Sequence, residues 1–360
     1  MVFRGKALLM SLNESGNGRG ERGRVTLQVI AERLAVSTAT VSLALRDSTV
    51  VADTTKRKVQ RVAREMGYIY NRSAASLRTS RTNILAVAFH DVSNPYFAEM
   101  LSAIDETVRS SGRTILLGTC NESIPRQENV LSSLQEYRPD GIIVCPVGGS
   151  TEDSLRNIAE SGLPIVQIAR EVEGLTADFV GSDDRYATEL AVEHLVKLGH
   201  KRIAYVGGND ATSNGRARHA GFLESMKQYG LAATDEAIVA GDGKRLTGLD
   251  SVPKLLAMSP PPTAVICFND SVAFGVMHGL QKIGLSPGRD LSVVGCDDVS
   301  DAALWVPPLT TVHNQHIEMG RLAAEMMMRR ISDPGQPPRR IMLEPRLVAR
   351  DTTAPPTARH

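Results

Sequence analysis

The stretch from Val25 to Leu45 reads VTLQVIAERLAVSTATVSLAL. Leu27, Ile30, Ala31 and Leu34 recur at helical spacing and make one apolar face. Ala35-Val36 interrupts that period, and Ser37 opens a second helix carrying Val41, Ala44 and Leu45, its hydroxyl placed to cap the new N-terminus. A third amphipathic run, Val59, Val62, Ala63 and Met66, begins after Asp53-Thr54-Thr55 and ends at Gly67. Two short helices joined by a tight turn and backed by a third predict a helix-turn-helix bundle over residues 25–70. Such a bundle places the N-terminal end of its second helix in the major groove of DNA. Here that end offers the hydroxyls of Ser37, Thr40 and Ser42 to phosphate, Ala39 to a thymine methyl and Thr38 to either, while Val41 turns inward. A serine-capped helical hairpin with no such role shows the same pattern, so the charge distribution has to be weighed with it.

Residues 1–81 carry fifteen Lys or Arg against six Asp or Glu, a net of +9, although the 360-residue chain as a whole is only +1. The rest of the chain is therefore near −8. A basic head on an acidic body suits polyanion binding by the head alone. The length is too great for one ordinary domain, and 42% hydrophobic with 22% charged residues is a globular composition. No apolar run approaches the roughly 18 residues of a membrane span. Arg4 and Lys6 precede only Ala7 to Met10, shorter than a signal-peptide core, so a cytoplasmic protein is expected. Residues 1–24, rich in Gly, Ser, Asn and Arg without apolar period, read as a disordered leader, and residues 351–360 as a disordered tail.

After Gly67-Tyr68 comes Asn71-Arg72-Ser73-Ala74-Ala75-Ser76-Leu77-Arg78. With Val25-Thr26-Leu27, Val36-Ser37, Ala39-Thr40-Val41-Ser42 and Leu45, this makes the chain resemble the LacI/GalR family of bacterial transcription repressors, and the resemblance runs on to about Arg350. It implies that Ser73 to Leu77 is a hinge helix folding only on operator DNA, with Leu77 wedged into the minor groove. Small Ala74 and Ala75 would let two such helices approach closely, and an apolar wedge unstacks a base step to bend the duplex. Residues 71–82 are accordingly read as hinge helix and linker. The DNA-contacting set is Thr26, Ser37, Thr38, Ala39, Thr40, Ser42 and Leu43, joined through the resemblance by Asn71, Arg72, Ala74 and Leu77. The family pattern is broken where Val29 stands for Asp, Tyr70 for Pro, and Leu43 and Arg46 for the usual Arg or Asn. Without a carboxylate at position 29 the first helix loses a reciprocal cap worth about 1 kcal/mol.

From Asn83 onward short β-branched runs alternate with helical stretches: Ile84 to Phe89, Thr114 to Gly118, Gly141 to Cys145, Pro164 to Ile168, Arg202 to Val206, Ala264 to Phe268 and Leu291 to Val294. That rhythm predicts parallel sheets wound on both faces, and about 270 residues suffice for two, so an α/β body of two lobes like a periplasmic sugar-binding protein is expected. The effector-binding and dimerisation domain is set at residues 83–350, lobe 1 at about 83–179 and 313–331, lobe 2 at about 180–312 and 332–350. In such sheets ligands sit at the carboxyl ends of strands. Groups placed there can bond vicinal hydroxyls or stack on a sugar face: Asn94, Tyr96, Phe97, Arg170, Arg218, Asn269, Asp297, Trp305 and Asn314. The resemblance implies effector contacts for Arg218, Asn269 and Asp297. Sugar-binding relatives often have an aromatic where Gly243 stands and an Asp where Ala169 stands, which leaves stacking to Phe97, Tyr96 or Trp305.

An enzyme fits the sequence poorly, because Gly207-Gly208 lacks the third glycine and the lysine of a phosphate loop. His313 and His316 have no third ligand nearby, and Cys120, Cys145, Cys267 and Cys296 have no CxxC spacing, so neither metal nor cofactor is expected. The reading is a dimeric, effector-responsive repressor on a pseudo-palindromic operator, its effector a sugar or sugar derivative. The alternative is a cytosolic sugar-binding or sugar-metabolising protein with an incidental basic head.

Overall fold

The computed structural model describes residues 25–68 and 81–357. The chain forms two compact units, residues 1–78 and 79–360. In the first, α1 (Leu27–Leu34) is capped by Thr26, α2 (Thr38–Leu45) by Ser37, and α3 (Asp53–Glu65) starts on an acidic residue that suits the helix dipole. Ala35 supplies the left-handed residue that ends α1, at φ 53°. Ile30, Ala31, Val41, Ala44, Val59, Val62 and Ala63 form the small core, as the apolar spacing predicts. With Val29 at the third helical position, Thr26 makes only the forward half of the cap, a 3.4 Å bond from the Val29 amide.

The second unit holds two six-stranded sheets. The first contains β1 (Ile84–Phe89), β2 (Thr114–Thr119), β3 (Gly141–Val144), β4 (Ile165–Ile168), β5 (Asp178–Ser182) and β11 (Arg340–Leu343), in the order β11-β5-β4-β3-β1-β2 and parallel throughout. The second contains β6 (Ile203–Val206), β7 (Ile238–Val239), β8 (Ala264–Cys267), β9 (Ser292–Asp297), β10 (Thr310–His313) and β12 (Arg346–Val348), in the order β12-β10-β9-β8-β6-β7, with β12 antiparallel. Helices cover both faces, so the inner strands are buried on both sides and read as continuous apolar runs. The chain passes between lobes three times: from β5 into α7 (Asp184–Lys197), from β10 into α12 (His316–Ser332), and from β11 to β12. Gln315, left-handed at φ 60°, donates to the Glu344 carbonyl at 2.5 Å and ties two crossings together.

Two sequence expectations are corrected here. Residues 180–182 and 340–343 belong to the first sheet, not to the second lobe, because β11 pairs along the whole of β5 and Arg330 clamps Asp178 at its start, at 2.8 and 2.9 Å. Residues 351–357 are not a loose tail: Thr352 is fully buried, its hydroxyl donating to Val293 O at 2.7 Å and its carbonyl accepting from Val293 N at 2.8 Å. No helix among the described residues is long and apolar enough to cross a membrane.

Candidate functional site

Between the lobes lies a cleft of about 160 Å³, walled by loops that leave the carboxyl ends of strands. From the first lobe come His90 and Asp91 after β1, Asn94, Tyr96 and Phe97 at the start of α4 (Pro95–Arg109), Asn121 and Glu122 after β2, and Arg170 after β4. The second lobe contributes Asn209, Thr212 and Asn214 after β6, Asp242 to Lys244 after β7, Phe268 and Asn269 after β8, and Asp297 as the last residue of β9. Arg218 reaches in from α8 (Ser213–Gln228). At the mouth the lobes touch: the Gly149 amide donates to Ala211 O and the Glu171 amide to Ser213 Oγ, each at 2.9 Å.

The first wall centres on Arg170, only 7% exposed, whose Nη1 donates to Glu122 Oε1 at 2.7 Å and to Pro146 O at 3.3 Å. His90 stands 3.4 Å from Arg170 Nη2, and burial followed by that guanidinium holds its imidazole well below the usual pKa, so the ring is neutral. Phe97 meets His90 and Tyr96 edge to face at 4.3 and 4.8 Å. Burial pushes the Tyr96 phenol well up, so it remains a donor, here toward Met319 Sδ at 3.8 Å.

The second wall centres on Arg218. Its Nε donates to Asp184 Oδ1 at 2.7 Å, its Nη1 to Phe268 O at 2.5 Å, and its Nη2 lies 3.7 Å from Asp297 Oδ1. The guanidinium also covers the Phe268 ring at 4.9 Å. Burial drives the Asp297 pKa well up and Arg218 opposes it. Asp297 sits at φ 133°, a backbone region that L-residues rarely adopt, so the fold holds this carboxylate in place against local strain.

Of the effector residues read from the sequence, Asn94, Tyr96, Phe97, Arg170, Arg218, Asn269 and Asp297 are brought to the cleft. Trp305 is not: it stacks on buried Phe274 of α10 (Asp270–Lys282) at 4.4 Å, with Arg245 above it, so the indole is spent on core packing away from the cleft. Asn314 is fully buried behind the wall and donates to Asp297 Oδ1 at 3.0 Å, so it holds a cleft residue without reaching the cleft. His90, Glu122, Lys244 and Phe268 were missed. His90 directly follows a strand read correctly, and applying the strand-end rule one residue further finds it; Phe268 was taken as the last residue of its strand, which ends at Cys267. Of the histidine pair weighed and set aside as a metal site, His313 bonds Asp298 at 3.1 Å and His316 bonds Glu99 at 2.7 Å. The cysteines are buried, and burial pushes the Cys145 thiol up to about 12, leaving it unreactive.

On the head, Thr38 and Ala39 are exposed on α2. Ser37 accepts from the Thr40 amide at 3.0 Å, and the two hydroxyls lie 2.9 Å apart, so both take part in the cap. Leu43 is half-buried, one side of it packed against the three-helix core. Asn71, Arg72, Ala74 and Leu77 lie outside the described residues.

Residues 26–71 match the family described as bacterial regulatory proteins, lacI family, and residues 192–353 match the periplasmic binding protein-like domain. The HTH-type transcriptional repressor PurR of Erwinia tasmaniensis is 31% identical over 332 residues, 91% of this chain and 97% of that protein. The lac repressor dimer bound to operator and the anti-inducer ONPF superposes with a TM-score of 0.80 at 25% identity, covering 92% of this chain and 99% of that one. The complex of the transcriptional regulator CelR with cellobiose gives a TM-score of 0.69 at 26% identity, with coverage of 91% and 100%.

Proposed function

The chain belongs to the lacI family of bacterial regulatory proteins and is a ligand-responsive DNA-binding regulator; on that footing we propose that it represses genes of carbohydrate uptake or catabolism, its effector an uncharged polyhydroxyl compound held between the lobes. The observation that carries the effector class is the pairing of charges in the cleft. Arg170 is matched by Glu122, Arg218 by Asp184 and Asp297, and Lys244 by Asp242 at 3.3 Å. A phosphate or carboxylate would meet a carboxylate already beside each of these cations and would be repelled by it. Asn94, Asn121, Asn209, Asn214 and Thr212 add neutral amides and a hydroxyl, which suit vicinal hydroxyl groups. The CelR relative holds cellobiose, a ligand of that chemistry.

Two heads on a C2 dimer would read a pseudo-palindromic operator; the lac repressor relative is likewise a dimer bound to operator. Effector binding would stabilise one relative setting of the lobes and thereby the spacing of the two hinge segments. Its place of action in this reading is the bacterial cytoplasm, on the nucleoid. Titration calorimetry of the full chain against neutral mono- and disaccharides, with sugar acids and nucleobases as the contrasting set, tests the effector class. A neutral saccharide is expected to bind and to change operator affinity in a gel shift; tighter binding of a sugar acid or a nucleobase would overturn the proposal.

A further inference from the structure

The loop that leaves β2 turns through two successive left-handed residues, Asn121 at φ 49° and Glu122 at φ 51°. Asparagine tolerates that region, but a glutamate seldom enters it, and it persists only where the surroundings hold it. Here the hold is visible. Glu122 Oε1 accepts from Arg170 Nη1 at 2.7 Å and lies 3.2 Å from His90 Nε2, while Oε2 accepts from the Gly148 amide at 3.0 Å. Arg170 is in turn buried and follows Ala169, also left-handed at φ 62°. The carboxylate is nevertheless open to the cleft, which it borders with its side chain 40% exposed. A carboxylate has about four acceptor positions and these contacts take at most three, so capacity for one more donor remains. The other carboxylates of the cleft are differently placed. Asp91 Oδ1 closes its own loop, accepting from the Ser93 amide and hydroxyl at 2.8 and 2.6 Å. Asp297 is buried, and Asp242 is taken up by Lys244 and Thr247.

We propose that Glu122 is a specificity-determining residue for the effector, its carboxylate accepting a hydrogen bond from one particular hydroxyl of a neutral sugar, with Arg170 the positioning residue that aims it. The proposal rests on the effector being an uncharged polyhydroxyl compound. A carboxylate held this firmly demands a donor at one place on the ligand, and an analogue with a bare carbon there leaves the charge desolvated and unpaired. The test is calorimetry of the full chain with D-glucose, D-galactose, D-ribose and cellobiose, then with each monodeoxy analogue of the tightest binder. Wild type is expected to lose about 10- to 100-fold in affinity when one hydroxyl is removed. Glu122→Gln, which keeps an oxygen for Arg170, should cut the penalty at that same hydroxyl to a few-fold and leave the other positions alone, because a bond to a neutral amide is worth less. Arg170→Lys keeps the charge but loses the planar fork, and should shrink the same penalty. The penalty is a ratio between two ligands on one protein, so a variant that merely folds less well does not move it. Penalties unchanged in Glu122→Gln overturn the assignment. So does equal weakening of the sugar and all its analogues, which marks a structural support of the loop. A full penalty in Arg170→Lys removes Arg170 from the scheme. Wild type binding none of the four sugars would instead strike at the effector class.

Discussion

Asp270 opens α10 with its side chain fully buried, accepting from Thr311 Oγ1 at 2.5 Å and from the Val299 amide at 3.0 Å. It lies behind the ligand wall, joining β10 to the loop that follows Asp297. Burial outweighs both hydrogen bonds and raises its pKa from 3.8 to about 6. The native state therefore holds this proton over a range of pH in which the unfolded chain has released it. Stability from this group is full below the unfolded value near 4 and declines as pH rises through about 6. Urea unfolding at half-unit steps from pH 4 to 7 should show that decline, and Asp270→Asn should flatten it. The amide keeps its oxygen for the Val299 amide and can donate to Thr311 Oγ1 once that hydroxyl turns to accept, so a variant that keeps the full slope would show that another group titrates. At this scale the sequence was legible wherever position alone mattered. Asn269 and Asp297 follow strands and face the cleft, but the fates of Trp305 and Asn314 depended on where neighbouring chain segments came to rest.

Helix pairing in the second lobe depends on missing side chains. Where α9 (Arg245–Ala257) crosses α10, a Cβ on Gly248 would fall 1.9 Å from Val272 O, and one on Gly275 equally close to Arg245 O. Each helix thus lays its backbone against the other at a reciprocal pair of glycines. Gly275→Ala should force the pair apart and cost about 3 kcal/mol, read as a lower denaturant midpoint with an unchanged slope. A neutral Gly275→Ala would mean the crossing is looser than described. The strands read from sequence were those with several β-branched or aliphatic residues in a row, such as Ile84 to Phe89 and Ala264 to Cys267. Among the strands that went unread, β5, β11 and β12 are short runs diluted by Asp178, Arg340 and Arg346, and their partners are supplied by distant segments. Residues 351–357 were misread for a related reason. Their attachment comes from hydrogen bonds of Thr352 and from His200 Nε2 at 2.9 Å to Ala354 O, and composition does not report such bonds.

For the molecule as a regulator, what matters is how the two-lobed body sets a response. Its α/β class and its division into basic head and acidic body followed from strand rhythm and charge. The closed mouth did not, because Gly149 and Ala211 meet through backbone atoms. That mouth has a consequence for dose. Gly149 to Ala211 and Glu171 to Ser213 are hydrogen bonds between protein groups, so part of the closing free energy is supplied before any effector arrives. Ser213 touches the opposite lobe, not the deeper wall around Arg218, so its hydroxyl can be removed while the effector contacts remain. Ser213→Ala should withdraw about 1 kcal/mol from the closed state and shift the half-response concentration up about five-fold, with the maximal response unchanged. A titration of operator release or capture against effector measures both quantities, and an unmoved midpoint would show that the mouth bond has no part in closure. The sensitivity of the gene switch is in this sense written at the rim of the cleft and its selectivity in the interior. The concentration at which a cell responds can then drift by single substitutions at the rim while the compound it recognises stays the same.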